Sequence, residues 1–295
     1  MNPGGIRQPT SLADNAYAAG AGANRKVGDG CGRNVGHGMG TDPQRPTTYD
    51  ERGNPMKLDL KAEHTIYRHS SGARLTGVTT YLGVLAKPSL MNWYASEERK
   101  GVLAAMESGK PLPKGPFAER KRDKAADLGT ITHARVEGFL KSDPLDPEGI
   151  PDDLYAASEH GYLRFLNWWS SEGMSVVESE KVMCFEDIGM AYGGTADIIA
   201  QDRTGRLTLV DLKTSKKSRH WPYAEIYAQV AAYAVAYENI EGTPIDRICI
   251  VRIGKEVDDD LQVVEVDPEQ KRAGWGLFRA AYHAYEHKKE LERLA

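Results

Sequence analysis

From residue 175 onward the apolar positions of this chain recur every second residue, and before that, back to about residue 77, every three or four. The first forty residues show neither period and hold ten of the thirty glycines, mixed with Asn, Arg, Pro and Asp. Such a stretch buries too little apolar area to offset chain entropy, so residues 1–58 are expected to be a disordered Gly-rich tail. LDLKAEHTIYRHSSGARL predicts a short hairpin. TGVTTYLGVL and SLMNWYASEERKGVLAAMESG predict two helices parted at Lys87-Pro88, the second with Leu90, Trp93, Tyr94 and Val102 on its apolar face. The loop GKPLPKGP closes this N-terminal hairpin and helical subdomain, 59–116.

Residues 117–295 are expected to form the main unit. The helix ERKRDKAADLGTITHARVEGFLK carries an apolar face of Leu128, Ile131, Val136 and Phe139, and a neighbouring stripe of Gly129, His133 and Glu137. A second helix, LYAASEHGYLRFLNWWSSEG, turns Tyr162, Phe165, Leu166 and Trp169 inward. SVVESEKVMCF, GGTADIIA and RLTLVDLK then predict three strands joined by two hairpin connections. A helix over 222–237 places Gln229 and Tyr233 one turn apart. DRICIVRI and LQVVEVD add two strands, and a final long helix presents Trp275, Phe278, Tyr282 and Leu291.

The strand RLTLVDLK carries the chemistry. Alternation puts Leu207, Leu209, Asp211 and Lys213 on one face, so an apolar stripe ends in an acid beside an ammonium, with Asp197 on the strand before. A buried charge is costly unless it has a partner or a task. Two carboxylates, Asp197 and Asp211, with a backbone carbonyl near Leu212, suffice as the protein shell of a hard cation such as Mg²⁺. His133 would be a further ligand, and imidazole suits Mn²⁺ better than Mg²⁺. A divalent cation activates water and polarises phosphate, and Lys213 would hold that water or the departing charge. Lys216, Lys217, Arg219 and His220 follow at once and offer a phosphate backbone somewhere to dock.

Composition narrows the picture only slightly. The net charge of -4 does not advertise nucleic-acid binding, although where the charge sits matters more than its sum. Three isolated cysteines offer neither a thiolate zinc site nor the four thiolates of an iron–sulfur cluster. No apolar run reaches the roughly 18 to 20 residues that span a bilayer, so the expected setting is the cytoplasm without a membrane partner.

Taken together, GTITHARVE, VESEKV, GGTADIIA with LVDLKTS, and AQVAAY resemble the PD-(D/E)XK nuclease superfamily, particularly its RecB-type branch and the mitochondrial genome maintenance exonuclease-like proteins, with phage exonucleases among the relatives. TGVTTYLGVLAKPSLMNW also looks like the N-terminal segment of phage members. The resemblance implies an α/β, restriction-endonuclease-like fold, a mixed central sheet flanked by helices. It casts His133 as the motif histidine, Asp197 as the first metal carboxylate, Asp211 and Lys213 as the acid-x-Lys signature, and Gln229 with Tyr233 as the helix motif that supports Lys213 or contacts the strand. Glu180 sits where relatives carry an accessory acid, and Glu178 lies two residues away on the same expected face; Glu180 is preferred. Cluster-free exonucleases are the better models, because cluster-containing members need four cysteines.

The expected activity is therefore a Mg²⁺- or Mn²⁺-dependent DNA exonuclease of phage type, in the bacterial host's cytoplasm if phage-encoded, serving replication, recombination or end processing. Its partners would be DNA, as single strands or duplex ends, and a recombinase or single-strand-binding protein. An inactive DNA-end-binding protein of the same fold and a structure-specific endonuclease are the rival readings.

Overall fold

The computed structural model describes residues 48–49, 55–56 and 66–295, except for residues 110, 114, 188, 217–220 and 257. Most of the expected tail, and the first part of the expected hairpin, lie outside the described residues. Within 1–58, β1 (Thr48–Tyr49) and β2 (Pro55–Met56) form a small antiparallel ribbon. The hairpin's described end is a tight turn, with Arg68 bridging Arg74. It leads into α1 (Val78–Leu82), which spans only five residues, and then α2 (Pro88–Ser108), with Pro88 at its start, where a missing amide hydrogen costs nothing.

The long helices follow the periodicity closely: α3 (Phe117–Lys141), α4 (Asp152–Glu172), α5 (Ala224–Glu241) and α6 (Pro268–Leu294). Asp267 and Gln270 cap α6 reciprocally, each side chain satisfying the other's backbone amide. Five strands make one sheet in chain order: β3 (Ser175–Asp187), β4 (Met190–Gln201), β5 (Leu207–Thr214), β6 (Arg247–Ile253) and β7 (Gln262–Glu265). Every neighbouring pair is antiparallel except β5 and β6, which α5 connects as the crossover a parallel pair requires.

Each face of the sheet has its own core. Leu209, Ile250, Tyr192 and Ala196 pack against α1, α5 and α6, while Val210, Leu212, Val251 and Ile253 pack against α3 and α4 through Val136, Phe165 and Trp169. A fully buried side chain of this size contributes about 1.5–3 kcal/mol, and the alternation along β5 is what divides its residues between the layers. α5 lies between sheet and α6, which explains why its sequence is apolar nearly all round. Three residues assigned to apolar faces are instead exposed: Leu90 at 44%, Phe139 at 40% and Leu291 at 68%. Each lies on a long helix, where the 3.6-residue period carries one end of the stripe off the contact surface. Among the described residues no helix is long and apolar enough to cross a membrane.

Candidate active site

The site begins where two strands part. The β4–β5 ladder runs from Gln201↔Leu207 to Ile198↔Val210 and stops, while β5 continues alongside β6 through Asp211↔Ile250 and Lys213↔Arg252. The core contacts slip at the same point: Tyr192 and Ala196 face one core, Ile198 and Ala200 the other. Asp197 occupies this slip, and its Oδ2 accepts the Leu212 amide at 2.7 Å, taking the place of the backbone acceptor the ladder no longer supplies.

Asp211 is 1% exposed, and neither of its carboxylate oxygens has a hydrogen-bond partner. Lys213 Nζ nevertheless stands 2.6 Å from Oδ2 as an ion pair, and it also donates to the Leu212 carbonyl at 3.4 Å. Burial, then the neighbouring Asp197, push Asp211 up to about 6 against the pull of Lys213. Burial likewise raises Asp197, with Lys213 and the Leu212 amide opposing it. Burial pulls Lys213 down, but Asp211 and Asp197 together outweigh it and hold the ammonium charged. Two acids that resist ionisation around one cation leave carboxylate oxygens with unmet demand for positive charge.

α3 supplies the opposite wall. His133, Glu137, Glu180, Asp197 and Leu212 line one open cleft of about 220 Å³, counting its mouth. Burial, and then repulsion from Lys213, lower His133 to about 4, so its imidazole is neutral at neutral pH and keeps a lone pair to give. Gly129, on the same stripe as His133, faces the Thr214 side chain at an ordinary 3.5 Å from where a Cβ would sit. Glu137 was visible in the sequence only as a member of that stripe; its place in the cleft depends on how α3 lies on β5.

The expectation that Glu178 and Glu180 share a face does not hold. Glu180 has a left-handed backbone, φ 52°, uncommon for a residue with a side chain. The pairs Ser179↔Ile198 and Lys181↔Ala196 set it across from Asp197. Alternation breaks there, so Glu178 meets Lys181 at 2.8 Å, and Lys181 also holds Glu241 at 2.8 Å. Glu180 enters the cleft; Glu178 does not line it.

The adjacent glycines of GGTAD each admit a tyrosine ring. A Cβ on Gly194 would lie 2.6 Å from Tyr233 Cε1, and one on Gly193 would lie 2.0 Å from Tyr67 Cγ. Tyr233 is 5% exposed and accepts from Gln229 Nε2 at 2.9 Å. Burial holds its phenol well above the usual range, reinforced by Asp211 and Asp197 despite the Gln229 bond. The Tyr67 hydroxyl pairs with Thr195 Oγ1 at 2.9 Å, and burial, then Glu180, raise it despite that bond. The glycine pair signals close approach from two sides; nothing local reveals that Tyr67 is one of the visitors. Lys216 is exposed and ion-paired with Glu256. Lys217, Arg219 and His220 lie outside the described residues.

Among the described residues, no three His, Cys, Asp or Glu side chains converge tightly enough to enclose an ion as they stand. The donor set nevertheless fits a hard divalent cation: two buried carboxylates, one with an unengaged oxygen on Asp211, a neutral imidazole, a backbone carbonyl and no thiolate. Cys249, the free cysteine among the described residues, is buried in the core layer against α3 and α4.

Comparison with known proteins places the chain in a family. The CRISPR-associated exonuclease Cas4 of Aeropyrum pernix is 26% identical over 133 residues, covering 44% of this chain and 62% of that protein. The chain thus spans less than two-thirds of that curated relative. A candidate exonuclease of known structure from Eubacterium rectale overlays with a TM-score of 0.40 at 15% identity, covering 59% of this chain and 68% of the other. The family model of the PD-(D/E)XK nuclease superfamily matches residues 104–292, which include His133, Glu137, Glu180, Asp197, Asp211, Lys213, Gln229 and Tyr233. With its mixed five-stranded sheet flanked by helices in a restriction-endonuclease-like arrangement, the chain belongs to the PD-(D/E)XK nuclease superfamily.

Proposed function

We propose that this chain is a Mg²⁺- or Mn²⁺-dependent deoxyribonuclease that degrades DNA from its ends. The observation that carries the reading is the Asp211 carboxylate: 1% exposed, ion-paired through Oδ2 with Lys213 at 2.6 Å, its Oδ1 unengaged, and Asp197 beside it. Lys213 offsets its desolvation only in part, so a carboxylate buried in that position is hard to justify by stability alone. Asp197, Asp211, His133 and the Leu212 carbonyl are the ligands. A cation bound there would polarise the scissile phosphate and lower the pKa of the attacking water. Lys213, held charged by the two aspartates, orients that water for in-line attack and offsets charge as it develops on the phosphoryl oxygens. His133 serves as a neutral donor. Glu180 and Glu137 stand on the cleft wall, Glu180 as the accessory acid. Tyr233 and Gln229 buttress the face on which Asp211 and Lys213 lie, and the basic residues Lys216, Lys217 and Arg219 supply positive charge for the phosphate backbone.

The Gln229/Tyr233 helix motif and a chain with three cysteines favour the cluster-free RecB-type branch, with roles in phage replication, recombination or end processing and with a recombinase or single-strand-binding protein as partner. The test is digestion of end-labelled single- and double-stranded DNA with Mg²⁺, Mn²⁺ or EDTA, next to closed circular DNA. Loss of end label only with a cation, and no cutting of circles, is expected. No digestion of any DNA with either cation would refute the reading, and cutting of circles would make the protein an endonuclease.

A further inference from the structure

One fully buried cation lies beside the site without belonging to it. Arg252 is 1% exposed, and in the parallel β5–β6 register it is the partner of Lys213. Partners in such a pair point to the same side of the sheet, so two cations stand next to each other. Each has its own acid: Lys213 has Asp211 at 2.6 Å, and Arg252 has both oxygens of Asp259, at 2.8 and 2.9 Å. The remaining guanidinium hydrogens reach the Ser215 carbonyl at 2.9 Å, the Asp260 carbonyl at 2.8 Å and Gln262 Oε1 at 3.4 Å.

The Ser215 contact matters most, because Ser215 is two residues beyond Lys213. Its carbonyl is held by Arg252 and its amide by the Ile253 carbonyl at 3.2 Å. The acid that holds Arg252 is itself secured, since Arg164 on α4 donates to the Asp259 carbonyl at 2.7 Å. A fully buried ion pair rarely adds stability over an apolar pair of the same volume, but it does impose direction. Here the direction is imposed on the chain that carries Lys213. The clamp at Ser215 limits how far the end of β5 can swing and so keeps Lys213 beside Asp211.

We infer that Arg252 is a positioning residue that, with Asp259, fixes the end of β5 and so aims Lys213 at Asp211. The inference rests on the role assigned to Lys213 above. Arg252→Lys keeps the charge but loses the planar fork that grips Ser215, Asp259 and Asp260 together. Asp259→Asn removes the negative charge facing Arg252 and one of its two acceptor oxygens, and serves as the second variant if the first does not fold.

The full-length chain, wild type and variant, is treated briefly with an acetylating N-hydroxysuccinimide ester well below the melting temperature, and acetylation of Lys213 is compared with that of Lys181 by mass spectrometry. Lys181 on β3 is also partly covered and ion-paired, so general loosening raises both lysines. The inference expects Lys213 labelling to rise about tenfold relative to Lys181, and kcat on DNA to fall about 10- to 100-fold with KM little changed, as when a supporting shell is lost. Labelling that rises equally at both lysines, or a lowered melting temperature with unchanged Lys213 labelling, would show that Arg252 only holds the fold, and overturns the inference. If the wild type degrades no DNA, the proposed function fails, while the labelling ratio still decides the role of Arg252.

Discussion

The Leu212 amide donates to Asp197 Oδ2 at 2.7 Å, at the point where β4 has ceased to pair with β5. One carboxylate therefore closes the sheet and faces the cleft. Asp197→Asn keeps an oxygen for that amide, whereas Asp197→Ala leaves a buried donor unpaired, at a cost of about 1–3 kcal/mol. Both should lose nuclease activity, and only the alanine variant should show a markedly lower urea midpoint.

Asp211 and Lys213 should respond unequally to removal. Asp211→Asn removes a carboxylate that burial keeps above its ordinary pKa and leaves Asp197 to face Lys213, so stability should change little while cation-dependent activity disappears. Lys213→Ala leaves Asp211 buried beside Asp197 without its cation, which costs about 3 kcal/mol unless the carboxyl takes up a proton. Thermal unfolding in EDTA separates the two; equal destabilisation would contradict the picture.

Glu180 combines strain with a place in the cleft. Glu180→Gly relieves a left-handed backbone and should be stability-neutral or stabilising by up to about 1 kcal/mol, while activity falls at least about tenfold with loss of the acid. Glu178→Gln should leave activity unchanged and weaken only the ion pairs around Lys181. Parallel digestion and melting assays of the two variants test both expectations.

Two groups in the site pull stability in opposite directions as pH changes. Asp211, raised to about 6, holds its proton more tightly in the folded chain, so its ionisation weakens the metal-free fold as pH rises from about 4 through 6. His133, lowered from 6.5 to about 4, is protonated more readily in the unfolded chain; its contribution is present above about 6.5 and is lost as pH falls toward 4. In EDTA, the stability of wild type relative to His133→Asn should therefore grow between about pH 4.5 and about pH 6.5. A difference that stays flat would remove the assigned neutral state of His133.

Gly194→Ala should mimic damage to the Gln229/Tyr233 motif without touching it. The new methyl group would meet the Tyr233 ring at 2.6 Å and force it away from Asp211, costing about 1–3 kcal/mol and most of the activity. Tyr233→Phe in that background should add little further loss.

Much of this was legible along the chain, because strand alternation and helical spacing are local. They place Leu209, Asp211 and Lys213 on one face of β5, His133 and Glu137 on one stripe of α3, and Tyr233 one turn from Gln229, whatever the rest of the chain does. The β3 and α6 starts fell where the changes of period put them. Leu90, Phe139 and Leu291 were misassigned because a stripe says which way a residue points and not whether anything is there to meet it.

The tertiary structure decided what depends on partners distant in sequence. The parting of β4 and β5 exists because β5 exchanges one neighbour for another, and only then does Asp197 take over a backbone bond. Glu180 rather than Glu178 enters the cleft because of one left-handed residue that packing holds in place. Tyr67 reaches the site, and Arg252 its edge, from elements that no local pattern joins to β5. The shifted ionisation of Asp211 and His133 comes chiefly from burial, a property of the assembled fold alone. The sequence by itself determined which chemical groups this protein presents and on which faces; their convergence, and the exclusion of water that makes them reactive, came only from the packing of five strands between two layers of helices.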